Sequence, residues 1–162
     1  MAALHKNRKG TTLMELMIIC AIISVLSAMA IPSWLNYMPK MRAKAAVRAA
    51  VSSLREARSQ SITEKRRYGV FFDATNKNFV LFADNANPGS GTYETGDSVI
   101  TTTALGSNSV LESTTLTGSA VVFDMNGAAS QSGTVTFSSY DAQLSYVIDI
   151  LAATGRVKMT AG

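Results

Sequence analysis

The sequence predicts an α+β fold: one long helix, hydrophobic in its N-terminal half, packed on a C-terminal antiparallel β-sheet domain. Three observations carry this. Residues Leu16 to Pro39 contain no charged side chain. The stretch from Ser33 to about Thr63 is dominated by Ala, Arg, Lys, Leu and Met, all good helix formers. From Tyr68 onward the chain changes to short β-branched and aromatic runs separated by Gly, Asn and Asp. A helix followed only by strands is the α+β order.

The domain plan follows from composition. Residues 1–10 are a polar, basic leader, residues 11–39 an apolar helix, and residues 40–162 one small globular domain. The leader holds His5, Lys6, Arg8 and Lys9, and without it the formal charge of +4 falls to +1. It has the look of the n-region of an export signal. No small-residue cleavage site follows the apolar stretch, however, as a secretory signal would need. Its positive charge is expected to hold this end in the cytoplasm.

Leu16 to Leu35 is long enough to cross a bilayer as a helix, at about 1.5 Å per residue. Pro32 interrupts it near its outer end, where a missing donor and a steric clash predict a kink or local melting. Glu15 stands at the inner edge of the apolar run. An ionised carboxylate is costly in hydrocarbon and is retained where it has a partner, so Glu15 is a functional candidate. The plainer reading is an interfacial side chain reaching the headgroups. Cys20 is the one cysteine, which excludes an intramolecular disulfide, and it reads as an ordinary small apolar residue.

In the second half of the helix, Val47, Ala50, Val51, Leu54, Ser61 and Ile62 form a stripe expected to pack on a sheet. Lys44, Arg48, Arg55 and Arg66 line a neighbouring flank. Arg58 falls on the apolar stripe itself. Either its stem packs and its head snorkels, or it is a half-buried, paired side chain that orients helix on sheet. Residues 40–67 hold nine Lys/Arg against two Asp/Glu, and residues 68–162 three against eight. Opposite charges facing each other within the domain would explain this, as would head-to-stem attraction between subunits of an assembly.

The strands are expected at Tyr68 to Phe72 and Phe79 to Phe82, joined as a hairpin by Asp73 to Asn78, then at Val99 to Ala104, Ser109 to Glu112, Ala120 to Phe123, Thr134 to Ser138, Ser145 to Leu151 and Arg156 to Met159. Ala83 to Ser98 reads as a loop, and Asn126-Gly127 and Thr154-Gly155 as turns.

Enzymatic chemistry is not in evidence. His5 is the only histidine and would leave with the leader. A Ser-His-Asp triad, a Cys-His pair and a His-based zinc site are thereby excluded, and there is no phosphate-binding loop. Asp84, Asn85, Asn87, Glu94 and Asp97 do not have EF-hand spacing and read as a solvated loop. No cofactor, metal or catalytic residue is expected.

The run Gly10-Thr11-Thr12-Leu13-Met14-Glu15-Leu16 resembles the signal of type IV pilins and type II secretion pseudopilins. Leu54-Arg55-Glu56-Ala57-Arg58-Ser59-Gln60-Ser61, Phe123-Asp124-Met125-Asn126-Gly127 and Gly155-Arg156-Val157-Lys158 resemble the FimT/GspH-like minor pilin subgroup. The resemblance implies cleavage by a prepilin peptidase between Gly10 and Thr11, and methylation of the new amine of Thr11. Glu15 then falls at the fifth mature position and Pro32 at the position where the family commonly has proline. Thr11 departs from the family's usual phenylalanine. The absence of the C-terminal cysteine pair of major pilins points to a minor component.

The implied function is that of a structural subunit, a minor pilin or pseudopilin of a type IV pilus or type II secretion pseudopilus. It would be anchored in the bacterial inner membrane with its domain in the periplasm, then assembled with other pilins through the N-terminal helix. Within a bundle of parallel helices, Glu15 could pair with the Thr11 amine of a neighbour and so set the longitudinal register. The alternative is a DNA-binding minor pilin acting in DNA uptake, with Arg156 and Lys158 as candidate contacts on one strand face, helped by the Arg48, Arg55 and Arg66 flank where it is exposed. Two cations in an acidic region make a weak electrostatic footprint for DNA.

Overall fold

Helix formers run on from Leu13 to Glu64, and in the computed structural model they make one 52-residue helix, α1. The structure describes residues 11–106, 109–139 and 144–161, without the side chains of 29–33, 35 and 36. The leader and Gly10 lie outside these residues, as does the side chain of Pro32. Helix α1 continues through Pro32 without the expected melting. One proline removes one rung of the ladder, which a long helix can lose without ending. The helix stops where Lys65 turns into the left-handed region at φ 53°.

The chain divides into two compact units between Tyr37 and Met38. In the first, every large apolar side chain from Leu13 to Leu26 is exposed. Among the described residues no helix is long and apolar enough to cross a membrane. The expected span, Leu16 to Leu35, includes six residues whose side chains are outside the description.

In the second unit, α1 buries Ala43, Val47, Ala50, Val51, Leu54, Ala57 and Ser61. This is the expected stripe with one correction. Ile62 is 40% exposed, and Ala57 takes its place in the core. Eight residues beyond Leu54, Ile62 is rotated about 80° off the stripe, while Ser61 stays close to its centre. Arg66 lies past the helix end, so it is not on the basic flank; its guanidinium donates to Asn85 Oδ1 at 2.7 Å.

Eight strands follow: β1 (Tyr68–Asp73), β2 (Asn78–Ala83), β3 (Ser98–Ala104), β4 (Ser109–Thr114), β5 (Ala120–Phe123), β6 (Gly133–Ser139), β7 (Ser145–Leu151) and β8 (Arg156–Ala161). They form two antiparallel sheets, ordered β3-β2-β1-β5 and β4-β6-β7-β8. The core between them is aromatic and branched. Phe72 of the first sheet packs beside its sheet neighbour Phe79 and meets Phe137 of the second sheet edge to face at 6.2 Å. Val47, Leu54 and Ala57 of α1, with Ile148 and Ile150 of β7, complete the same cluster.

The other face of the first sheet is covered by its own loop. Tyr93 stacks on Phe71 and meets Phe82 edge-on, each at 5.0 Å. Gly69 leaves room for the Phe82 ring, which a Cβ at that position would meet at 2.6 Å. The loop between β2 and β3 is therefore not merely solvated. The Asp97 carboxylate accepts backbone N–H groups from Asn85, Ala86 and Glu94, and Asp84 is buried.

Candidate functional site

Two groups of residues carry the sequence-based expectations, one in each unit. In the first, Thr12 caps α1. Its hydroxyl accepts the Glu15 N–H at 3.2 Å, and its carbonyl accepts the Leu16 N–H at 3.2 Å. Thr12-Leu13-Met14-Glu15 is thus the sequence of a capping box, with Glu15 in the first turn, where a carboxylate also complements the helix dipole. The Thr-x-x-Glu spacing that marks this cap lies within the run that carries the cleavage signal. Thr11 and Glu15 are both exposed, and among the described residues the Glu15 carboxylate has no hydrogen-bond or ion-pair partner.

In the second unit, three segments far apart in sequence meet at Arg58. This side chain is half-buried, and its Nε donates to the Gly127 carbonyl oxygen at 3.0 Å across 69 residues. Of the two readings of Arg58, the structure gives the orienting one, with a backbone carbonyl as partner in place of a carboxylate. A carbonyl partner satisfies the Nε–H without burying a second charge. The neighbouring turn of α1 is tied as well, for the buried Ser61 hydroxyl donates to the Arg58 carbonyl at 2.8 Å.

Two glycines make the approach close enough. Gly127, at φ 82°, closes the turn after β5, where the Asp124 carboxylate accepts N–H groups from Asn126 and Ala128. A Cβ on Gly127 would press on Ile62 Cδ1 at 2.7 Å. Gly155, at φ 60°, begins the turn into β8, and a Cβ there would overlap the Gly127 carbonyl oxygen and stand 3.0 Å from Arg58 Nε. Arg58 therefore clasps the helix to the end of the first sheet, beside the start of the last strand of the second. The helix end has a further tie: the Tyr68 hydroxyl donates to the Glu64 carboxylate. That hydrogen bond, and then burial, hold the Tyr68 phenol above its ordinary pKa.

Arg156 and Lys158 both lie exposed on β8, an edge strand. Alternation puts them on one face, as expected. Their cross-strand neighbours differ. Arg156 stands opposite Leu151, and Lys158 opposite Asp149. Arg156 instead borders a cleft shared with Arg55 and Arg58. The sequence joins Arg55 to Arg156 only as a helper in contacting DNA; that both share one cleft with Arg58 is not readable from either element.

Comparison with known proteins bears on these same segments. The family described as type II transport protein GspH matches residues 46–154, and the prokaryotic N-terminal methylation motif matches residues 5–31. A fimbrial protein of Pseudomonas aeruginosa is 44% identical over 59 residues, covering 36% of this chain and 38% of that protein. The chain thus spans well under half the length of the curated relatives it matches. Among solved structures, the minor pseudopilin EpsH from the type 2 secretion system of Vibrio cholerae superposes with a TM-score of 0.60 at 14% identity, covering 74% of this chain and 97% of that one. The type IV minor pilin FimU of Pseudomonas aeruginosa gives 0.58 at 13%, covering 76% and 92%. At these identities the likeness is one of fold.

Proposed function

Because the chain belongs to the family of type II transport protein GspH, we propose that it is a minor pilin or pseudopilin, a structural subunit of a type IV pilus or type II secretion pseudopilus. One observation carries the reading: a GspH head over residues 46–154 and a methylation motif over residues 5–31 occur in a single chain. The first is a head built for packing among subunits, and the second is the signal for processing and assembly.

The working sequence of events follows from the residues. A prepilin peptidase cuts between Gly10 and Thr11, and the Thr11 amine is methylated. Residues 11–39 hold the subunit in the bacterial inner membrane, with residues 40–162 in the periplasm. On assembly with other pilins the apolar surface from Leu13 to Leu26, exposed in the single chain, packs against neighbouring helices. Glu15 has two roles compatible with one geometry. Its backbone N–H is used by the Thr12 cap, and its carboxylate remains available for the Thr11 amine of an adjacent subunit. In a low-dielectric bundle an unpaired carboxylate is strongly unfavourable, and a paired one is tolerated. Pro32 removes one backbone rung at the outer end of the apolar segment and lets the helix adjust there. No catalytic step is assigned to any residue.

Intact-mass measurement of membrane-extracted protein, with and without a co-produced prepilin peptidase, tests the processing step. The expected product begins at Thr11. A chain that still begins at Met1 in the presence of an active peptidase overturns it.

A further inference from the structure

Three guanidinium groups, of Arg55, Arg58 and Arg156, line one open cleft of about 400 Å³. Helix α1 supplies two of them and β8 the third. Ser59, Ile62, Gly155 and Val157 form the rest of the lining. Arg58 spends its Nε on the Gly127 carbonyl, which leaves its terminal nitrogens for a ligand. Among the described residues Arg55 and Arg156 make no ion pair or hydrogen bond. Three like charges in one concavity repel each other, and an anion relieves that repulsion. The clasp at Arg58 fixes that side chain before anything binds, so the ordering cost of a complex falls on Arg55 and Arg156.

The apolar part of the lining narrows the partner. Ile62, in the cleft wall, is 40% exposed, and Val157 lines the wall beside Arg156. A guanidinium fork fits a carboxylate in two parallel hydrogen bonds, and the apolar lining gives an aliphatic side chain a place to rest. We propose that this cleft is a docking site for an acidic segment of another protein, one that presents two or more carboxylates beside an aliphatic residue. Nucleic acid fits less well. Its phosphates need a row of cations, whereas here the next basic residue along β8, Lys158, stands opposite Asp149, and Ile62 and Val157 offer nothing to a phosphate. The proposal does not depend on leader cleavage or on filament assembly, so it can fail while the reading as a pilin or pseudopilin stands.

The test uses the full chain in a non-ionic detergent and a fluorescent peptide with four carboxylates around a single leucine. Its asparagine and glutamine counterpart and a labelled DNA duplex serve as the comparison probes. Fluorescence anisotropy should show saturable binding of the acidic peptide, at least about tenfold tighter than its amide counterpart, because charge-assisted hydrogen bonds are lost in the latter. Arg55→Gln combined with Arg156→Gln should weaken the acidic peptide by about tenfold or more while leaving the melting temperature unchanged, since both side chains are exposed. Equal binding of the acidic and amide peptides by the parent chain overturns the proposal without recourse to any variant. So does peptide binding that survives the double substitution. Tighter binding of duplex than of peptide, lost in the same double variant, would overturn it in favour of a nucleic-acid site.

Discussion

At the scale of single residues, Arg58 and Asp84 show how differently the domain treats buried polar groups. Arg58, half-buried, has its Nε–H met by a carbonyl that two glycines allow to come near. Gly155→Ala should therefore destabilise the chain by about 1–3 kcal/mol, since it adds both a left-handed φ penalty and an overlap with the Gly127 carbonyl. A thermal or urea melt of the variant checks this. Asp84 is the opposite case. One of its carboxylate oxygens has no hydrogen-bond partner, and the other accepts the Gly89 N–H at 3.4 Å. Burial, with Asp97 and Glu94 nearby, raises its pKa, while the Gly89 N–H and Arg67 pull the other way. An acid with a raised folded-state pKa binds its proton more readily in the native state. Its contribution to stability therefore falls as pH rises from the unfolded pKa through the folded one. Asp84→Asn removes that loss. The variant should melt at or above the parent temperature at pH 7, and the difference should shrink as the pH is lowered towards 4. A variant that melts lower than the parent at pH 7 would show that the ionised carboxylate is stabilising.

At the scale of elements, α1 is read in two halves by two kinds of signal. The buried stripe from Val47 to Ser61 was legible because the 3–4 spacing of small and branched residues is local information. Leu54 is fully buried at its centre, and Leu54→Ala should cost about 2–5 kcal/mol in a denaturant melt. An unchanged melt would mean that the packed face is wrongly placed. The strands were also legible, because aromatic and β-branched runs alternate with Gly, Asn and Asp. Their division into two sheets was not. Which strand neighbours which depends on contacts distant in sequence, and nothing in β5 states that it pairs with β1 while β6 pairs with β4. The partner of Arg58 was hidden for a similar reason, for a backbone carbonyl 69 residues away carries no residue-type signal. The turn glycines Gly127 and Gly155 were visible as turns, but not as the gap through which Arg58 reaches. Ile62 was misplaced because a stripe read by eye tolerates about 80° of drift that the packed helix does not.

At the N-terminus of the same helix, the cap and the carboxylate separate two roles of one turn. Glu15→Leu keeps the Glu15 backbone bond to Thr12 and removes the carboxylate. The variant should enter the membrane at least as well as the parent, since a costly charge is gone, and should fail to crosslink to the preceding subunit. Incorporation equal to that of the parent would remove Glu15 from the assembly step.

At the scale of the whole molecule, the chain joins an N-terminal helical unit with an exposed apolar surface to a head that carries its own two-sheet core. The basic residues of the helix's second half were candidates for pairing with the acidic strands. Among the described residues no such ion pair forms, so the charge division is not consumed within the domain and is available to partners. The central claim is that this chain is a subunit of a filament. Its most direct test is the composition of filaments sheared from cells that produce the tagged chain together with the pilins and peptidase of its own system. The account expects the mature chain, beginning at Thr11, in the filament fraction at low stoichiometry, and its loss from that fraction when the peptidase is absent. A chain processed at Thr11 but confined to the membrane fraction, while its companion pilins are recovered in filaments, would contradict it.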